Sequence, residues 1–321
     1  MLTMDRFRIR ICFFTSNTHR KFAMSLARTL KYISTLLFLL SSRMACGVEI
    51  DVQPGLTGSW YDPRTSGQGF MLVVYGDTLY GHHLALASWF TYDDVVGGAE
   101  HQRWYTLSGP IVRGETRVSM TIYQNTGGNF NALPATTALP VGTATLSFDS
   151  CTSGQLAYNF TGSGRTSTIP LTRLTQNETC SATSEGPTGP PGYSGNWYDA
   201  ATSGQGLAME VNWLSDVIFF AWMTYAPNGA DSGPAGQRWY TGQGTSNGNH
   251  VKLYETTGGL LDEGVPVPTT VPVGSATLSF VNNCYVEMSF NFTGGSSVGA
   301  SGKIALSWAG TPPGGAGCWD Y

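Results

Sequence analysis

The chain has 321 residues, a formal net charge of −4 and only 12% charged residues. Eight of its 17 basic residues and one of its 21 acidic residues lie within the first 46 positions. The remainder therefore carries 9 basic and 20 acidic side chains, a net charge of −11. An acidic chain without a basic patch argues against nucleic acid or anionic lipid as a partner.

Residues 1–46 are predicted to be a signal or targeting segment. Basic residues precede an apolar run at residues 32–40, which is too short to span a bilayer, and the small residues Ala45, Cys46 and Gly47 suit a cleavage region. We therefore expect export to the periplasm, the cell surface or the medium. A lipid-modified N-terminus at Cys46 is the alternative. No later stretch is apolar for the roughly 18 residues that a transmembrane helix needs, so no such segment is expected.

The rest of the chain contains an internal repeat. Motifs of the first half recur 131 to 138 positions later, so residues 55–180 and 193–318 are predicted to be two copies of one domain. Residues 181–192 are rich in Gly, Pro and Ser and are predicted to be a linker. The recurring motifs include Gly58-Ser-Trp-Tyr-Asp62 with Gly195-Asn-Trp-Tyr-Asp199, Thr65-Ser-Gly-Gln-Gly69 with Thr202-Ser-Gly-Gln-Gly206, and Gln102-Arg-Trp-Tyr-Thr106 with Gln237-Arg-Trp-Tyr-Thr241.

Each copy alternates short runs rich in Thr, Val, Tyr and Phe with Gly and Pro turns, and no stretch after the leader has a helical apolar period. Successive strands with short links suit an up-and-down meander, and eight strands suit a closed barrel without exposed edges. The prediction is an all-β chain of two tandem antiparallel β-barrels, with a β-sandwich as the alternative. The strands predicted in the first copy are residues 58–61, 69–75, 79–92, 102–108, 117–124, 142–148, 155–161 and 167–174.

Four cysteines lie beyond the leader, two at matching places in each copy, 29 and 34 residues apart. The repeat therefore predicts the disulfides Cys151–Cys180 and Cys284–Cys318. Such bonds require an oxidising compartment, in agreement with export. A four-thiolate zinc site is disfavoured because no C-x2-C spacing occurs.

The motif order Trp-Tyr-Asp, Ser-Gly-Gln-Gly, Trp-Phe-Thr-Tyr, Gln-Arg-Trp-Tyr, Thr-Gly-Gly and Val-Gly-Thr-Ala-Thr-Leu-Ser-Phe resembles an uncharacterised β-repeat of exported proteobacterial proteins. The resemblance covers about 120 residues of each copy, and the second copy departs from it at Met223, where the first has Phe90. It implies a secreted accessory module without an assigned activity and supplies no catalytic residues. The opening Gly-x-Trp-Tyr also resembles the first strand of avidin-like and lipocalin-like barrels, where an inward Trp closes one end.

Aromatic and polar side chains retained in both copies are the candidate ligand-binding residues. Aromatic rings stack on the apolar faces of sugars, and Gln and Arg supply directed hydrogen bonds. The structural alternative is that the rings fill the cores and the polar residues shape turns. The candidates are Trp60, Tyr61, Asp62, Gln68, Trp89, Arg103, Trp104, Trp197, Tyr198, Asp199, Gln205, Trp222, Arg238 and Trp239.

Catalytic candidates are few. The copies share no histidine and one clear acid, Asp62 with Asp199, so no catalytic residue, cofactor or metal is expected. The leading hypothesis is an exported non-enzymatic binding module for a carbohydrate or cell-envelope ligand. The alternatives are a module that binds or inhibits another exported protein, and an enzyme with one active copy that uses Asp62 with His82, His83 or His101.

Overall fold

A computed structural model of the chain describes residues 49–76, 83–181, 193–229 and 232–310. The predicted signal segment, nearly all of the predicted linker, His82 and Cys318 lie outside the described residues. The described parts of both copies belong to one compact unit, Gly47–Tyr321.

Each copy forms a closed antiparallel barrel of eight strands hydrogen-bonded in up-and-down order. This confirms the predicted tandem barrels and rules out the sandwich alternative. Barrel 1 consists of β1 Gly58–Tyr61, β2 Gly69–Tyr75, β3 His83–Tyr92, β4 Gln102–Ile111, β5 Arg117–Thr126, β6 Thr137–Ser150, β7 Ser153–Phe160 and β8 Thr166–Arg173. Barrel 2 consists of β9 Gly195–Tyr198, β10 Gly206–Asn212, β11 Val217–Tyr225, β12 Gln237–Gly244, β13 His250–Thr257, β14 Thr269–Asn282, β15 Tyr285–Phe292 and β16 Ser301–Trp308.

Helical structure in the described ranges is limited to short 3-10 turns. They are Pro54–Leu56, Ala99–His101, Ala200–Thr202, Pro227–Gly229 and Pro234–Gly236. Within these ranges, no helix has the length and apolar character needed to cross a membrane.

The burial pattern of each strand shows what its two faces contact. Along β7, buried and more exposed residues alternate, as expected for a strand with one face on the barrel core and one towards solvent. All seven residues of β2 are buried, so both of its faces are covered. One face of β2 lines the core of barrel 1, and the other packs against barrel 2.

The Cys151–Cys180 disulfide is present, as the repeat predicted. It ties the segment after β8 to the hairpin between β6 and β7. Cys180 lies against Gly55 in the first 3-10 turn, where a Cβ atom on Gly55 would come within 2.5 Å of the Cys180 backbone. Cys284 is buried in barrel 2, but Cys318, its predicted partner, is outside the described residues.

Candidate functional site at the seam between the barrels

The outer faces of β2, β3 and β4 pack against the outer faces of β10, β11 and β12. We call this contact the seam. The apolar residues at its centre occupy matching positions in the two copies. They are Phe90, Tyr92 and Trp104 of barrel 1 and Met223, Tyr225 and Trp239 of barrel 2.

Gln102 reaches across the seam to the backbone of barrel 2. Its Nε2 donates to the carbonyl oxygens of Trp239 (3.0 Å) and Thr256 (3.1 Å), and its Oε1 accepts from the Trp239 N–H (3.2 Å). Strands β12 and β13 pair only up to Thr241 and Tyr254 at this end. The Gln102 amide therefore bridges the two strands at the point where they separate.

Gln237 makes the same contacts in the opposite direction. Its Nε2 donates to the carbonyl oxygens of Trp104 (3.1 Å) and Asn125 (3.0 Å), and its Oε1 accepts from the Trp104 N–H (3.2 Å). Each barrel thus supplies one amide that completes the sheet of the other. This reciprocity relates the two halves of the seam by an approximate twofold axis.

The tryptophans of the two Gln-Arg-Trp-Tyr motifs follow the same symmetry. The Trp104 indole Nε1 donates to the Thr224 carbonyl (3.1 Å), and the Trp239 Nε1 donates to the Thr91 carbonyl (2.9 Å). Both rings are fully buried. These two predicted ligand-binding residues therefore hold the barrels together.

The barrels also exchange loops. The loop at residues 127–136, between β5 and β6, places Phe130 against Trp222 and Phe290 of barrel 2, with ring centroids 5.7 and 5.8 Å away. The equivalent loop at residues 258–268, between β13 and β14, places Leu261 in the core of barrel 1. Each barrel is thus closed in part by an apolar residue of the other.

Gln68 anchors the loop that barrel 2 sends to barrel 1. Its Oε1 accepts from the Thr91 hydroxyl (2.5 Å) and the Asp262 N–H (3.1 Å). Its Nε2 donates to the carbonyl oxygens of Leu260 (3.0 Å) and Glu263 (3.2 Å). The Gln68 amide therefore makes two hydrogen bonds through its oxygen and two through its nitrogen, all within the protein.

Gln205, the counterpart of Gln68, has hydrogen-bond partners for its side-chain oxygen but, among the described residues, none for its side-chain nitrogen. Its Oε1 accepts from the Thr224 hydroxyl (2.9 Å) and the Asn131 N–H (3.3 Å). The backbone N–H of Asn131 can only donate, so the orientation of the Gln205 amide is determined. Its Nε2 and the nearby Asn131 Nδ2 are buried, and neither has an acceptor among the described residues. Buried donors of this kind are rare and call for an explanation.

The Thr-Gly-Gly motif is explained by the same exchange. Gly127 and Gly258 have φ angles of 87° and 88°, which favour glycine. A Cβ atom on Gly128 would lie 2.1 Å from the Tyr225 ring, so this glycine lets the loop pack flat on the other barrel. Gly259 has the same relation to Tyr92, at 2.2 Å.

Four more of the predicted tryptophans fill the barrel interiors. The Trp60 indole donates to the Leu56 carbonyl (3.0 Å), and the Trp197 indole donates to the Tyr193 carbonyl (3.1 Å). Trp89 and Trp222 lie in aromatic clusters of their own barrels. All four are at most 1% exposed, so their rings act mainly as core.

The predicted acids shape turns. Asp62 accepts from the Arg64 N–H (2.9 Å) and pairs with the Arg64 guanidinium (2.7 Å). Asp199 accepts from the Ala201 N–H (2.9 Å) at the start of a 3-10 turn. His101 pairs with Asp93, not with Asp62. His82 and the side chain of His83, named for the single-copy enzyme alternative, lie outside what the structure describes.

The predicted arginines brace turns at the edge of the seam. Arg103 pairs with Asp93 and donates to the Glu100 carbonyl (2.7 Å). Arg238 donates to the carbonyl oxygens of Ala235 (2.8 Å) and Gln237 (2.7 Å). Desolvation by burial lowers the pKa of Arg238, although a guanidinium remains protonated at neutral pH.

A cavity of about 310 Å³ opens within the seam and brings four predicted residues together. Trp104 comes from the first copy, and Trp197, Tyr198 and Gln205 come from the second. We call this cavity the seam pocket. Sequence reasoning missed three of its apolar residues, Leu86, Leu207 and Met223. The only signal for them was the departure of the second copy at Met223, because Leu86 and Leu207 look like ordinary strand residues.

A second cavity, of about 560 Å³, lies on the rim of barrel 1 beneath the loop from barrel 2. Its charged residues include Arg64, Arg165, Asp262 and Glu263. Arg64 pairs with Asp62, Arg165 pairs with Glu263 (3.1 Å), and Asp262 accepts from the Tyr158 hydroxyl (3.2 Å). Each of these charged groups therefore has a partner within the protein.

Comparisons with protein-family models, with curated proteins and with solved structures find no match to this chain.

Proposed function

We propose that the chain is an exported, non-enzymatic binding protein whose seam pocket takes a carbohydrate or saccharide-like envelope ligand. The observation that carries the proposal is the convergence of Trp104, Tyr198 and Gln205 from both copies on one cavity. Its volume of about 310 Å³ is at the lower end for ligand pockets, so it suits about one ring of a larger molecule.

The chemistry of the pocket supports a ring with one apolar face. Leu86, Tyr198 and Met223 supply apolar and aromatic surface against which the C–H face of a sugar can pack. Gln205 carries a buried Nε2 donor with no acceptor in the described chain. A ligand hydroxyl or carbonyl oxygen in reach of this donor would satisfy it, and the gain is large because an unpaired buried donor is costly.

Three further observations support export and a role without catalysis. The Cys151–Cys180 disulfide is typical of proteins that fold in an oxidising compartment, and the motif order resembles an exported β-repeat family. Asp62, the shared acid, is held by Arg64 and bonds to the backbone of its own turn. Its role in the turn accounts for its retention in both copies.

A protein partner is the second candidate function, and one exposed turn favours it. Trp213 and Leu214, in the turn between β10 and β11, are 50% and 59% exposed. Adjacent large apolar residues at an exposed turn are typical of protein contacts. Loss of a co-purifying protein in a Trp213→Ser/Leu214→Ser variant would support this role.

The binding proposal is tested with residues 47–321, produced in an oxidising compartment. The protein is incubated with insoluble chitin, cellulose and peptidoglycan and with soluble glycans, and binding is read by pull-down and by Trp fluorescence. Tyr198→Ala is the test variant, because Tyr198 lines the seam pocket at the end of β9. Tyr61→Ala is the matched control, because Tyr61 is the counterpart at the end of β1 and is likewise half-buried.

We expect Tyr198→Ala to weaken glycan binding by roughly tenfold or more, the loss of about 1.4 kcal/mol of contact energy. Tyr61→Ala should leave binding within about twofold. Absence of binding to every glycan, or equal loss in both variants, would contradict the proposal.

A further inference from the structure

The two halves of the seam are related by the approximate twofold axis, but they are not filled alike. The axis makes Met223 of barrel 2 equivalent to Phe90 of barrel 1, and Leu86 of barrel 1 equivalent to Phe219 of barrel 2. The pairing of the strands establishes the first equivalence: Phe90 pairs with Gly69, and Met223 pairs with Gly206. The backbone is therefore the same on both sides, and the side chains differ.

In the half of the seam opposite the pocket, the Phe90 ring packs between the two barrels. Its ring centroid lies 5.3 Å from that of Trp239. Its Cζ atom lies 3.2 Å from the place where a Cβ atom on Gly69 would stand. The partly buried Phe219 packs against the same cluster. Two aromatic rings thus occupy the region that corresponds to the seam pocket.

In the half of the seam that contains the pocket, the positions equivalent to Phe90 and Phe219 carry smaller and more flexible side chains. Met223 and Leu86 both line the seam pocket, together with Trp104, the counterpart of Trp239. A methionine is unbranched and can move aside, whereas a phenylalanine ring fills its space rigidly. The cavity of about 310 Å³ therefore lies where the repeat departs from its own pattern.

We propose that the described part of the seam has one ligand pocket, not one per copy, and that Met223 and Leu86 are the specificity-determining residues that open it. The pocket binds one ring of sugar-ring size with an apolar face and at least one hydroxyl group, in a ratio of one ligand per chain. Only the carbohydrate identity of the ligand rests on the proposed function; the asymmetry of the seam does not.

The test uses cyclohexanol, a ring of sugar-ring size with one hydroxyl group, and the indole N–H signals of Trp104 and Trp239 in NMR spectra. These two indoles are matched reporters, because each donates to a threonine carbonyl of the other barrel. A closing variant, Met223→Phe/Leu86→Phe, gives the pocket side the residues of its counterpart. An opening variant, Phe90→Met/Phe219→Leu, makes the reverse exchange.

In the unmodified protein, cyclohexanol should shift the Trp104 signal and leave the Trp239 signal in place. The closing variant should bind at least roughly tenfold more weakly. The opening variant should add a shift of the Trp239 signal. Retention of both indole signals in the free variants, with a cooperative thermal transition, shows that the seam remains assembled.

Equal shifts of both signals in the unmodified protein, no shift of the Trp104 signal, or unchanged affinity in the closing variant would overturn the inference. If cyclohexanol behaves as expected while no glycan binds, the single pocket stands and the carbohydrate proposal fails. The two proposals are thereby tested separately.

Discussion

Replacement of Gln102 by alanine tests whether the reciprocal amides hold the barrels together. Gln102 is fully buried and makes three hydrogen bonds to the backbone of barrel 2, two from Nε2 and one to Oε1. A net value of about 1 kcal/mol per bond gives a loss of about 3 kcal/mol. The backbone groups of Trp239 and Thr256 are left without this buried partner, which raises the expected cost to about 4 kcal/mol.

The assay is urea unfolding followed by Trp fluorescence. Gln155→Ala is a suitable control, because the Gln155 side chain makes one long contact, 3.4 Å, to Ser147 within its own barrel. It should cost less than about 0.5 kcal/mol. Gln237→Ala should match Gln102→Ala, because its bonds are the symmetric set. A cost below about 1 kcal/mol for Gln102→Ala, or a large difference between the two variants, would refute the bridging role.

Three further predictions concern stability. Burial raises the pKa of Tyr105 to about 12, so the folded state retains a proton that the unfolded chain loses near pH 10. The free energy of unfolding should fall by up to about 1.4 kcal/mol per pH unit between these values, less steeply in Tyr105→Phe, as urea titrations at each pH would show. Cys151→Ala/Cys180→Ala opens a 29-residue span and should lower the free energy of unfolding by about 3–4 kcal/mol in the same assay. Gly128→Ala drives a methyl group into the Tyr225 ring, and a loss of about 1–3 kcal/mol is expected in calorimetry; an unchanged Tm would contradict the close packing of the exchanged loop.

The strand pattern was the strongest signal in the sequence. The strands predicted at residues 58–61 and 69–75 match β1 and β2 at both ends. Alternation of side chains and glycine-marked turns are local properties, so they can be read without knowing what a strand will contact. The duplicated cysteines likewise identified Cys151–Cys180, because a pair repeated in both copies removes the ambiguity of pairing.

The roles of the residues retained in both copies were harder to predict, because such retention has two physical causes. Gln102, Gln237, Trp104 and Trp239 are kept where the copies meet each other, and the sequence contains no sign that separates this from contact with a ligand. One available signal was β2, whose run Gly-Phe-Met-Leu-Val-Val-Tyr lacks polar alternation and indicates burial of both faces.

By itself, the sequence determined the β-class, the presence of two copies and the first disulfide, because these follow from local periodicity and duplication. Only the tertiary structure decided that the two barrels share a seam, that Leu261 enters the core of barrel 1, and that Phe130 packs on barrel 2. These contacts join outer faces and loops that are far apart in the sequence, as for Gln102 and Trp239, 137 positions apart. The alternation of side chains along a strand shows which residues share a face of the sheet. It does not show which surface that face will contact.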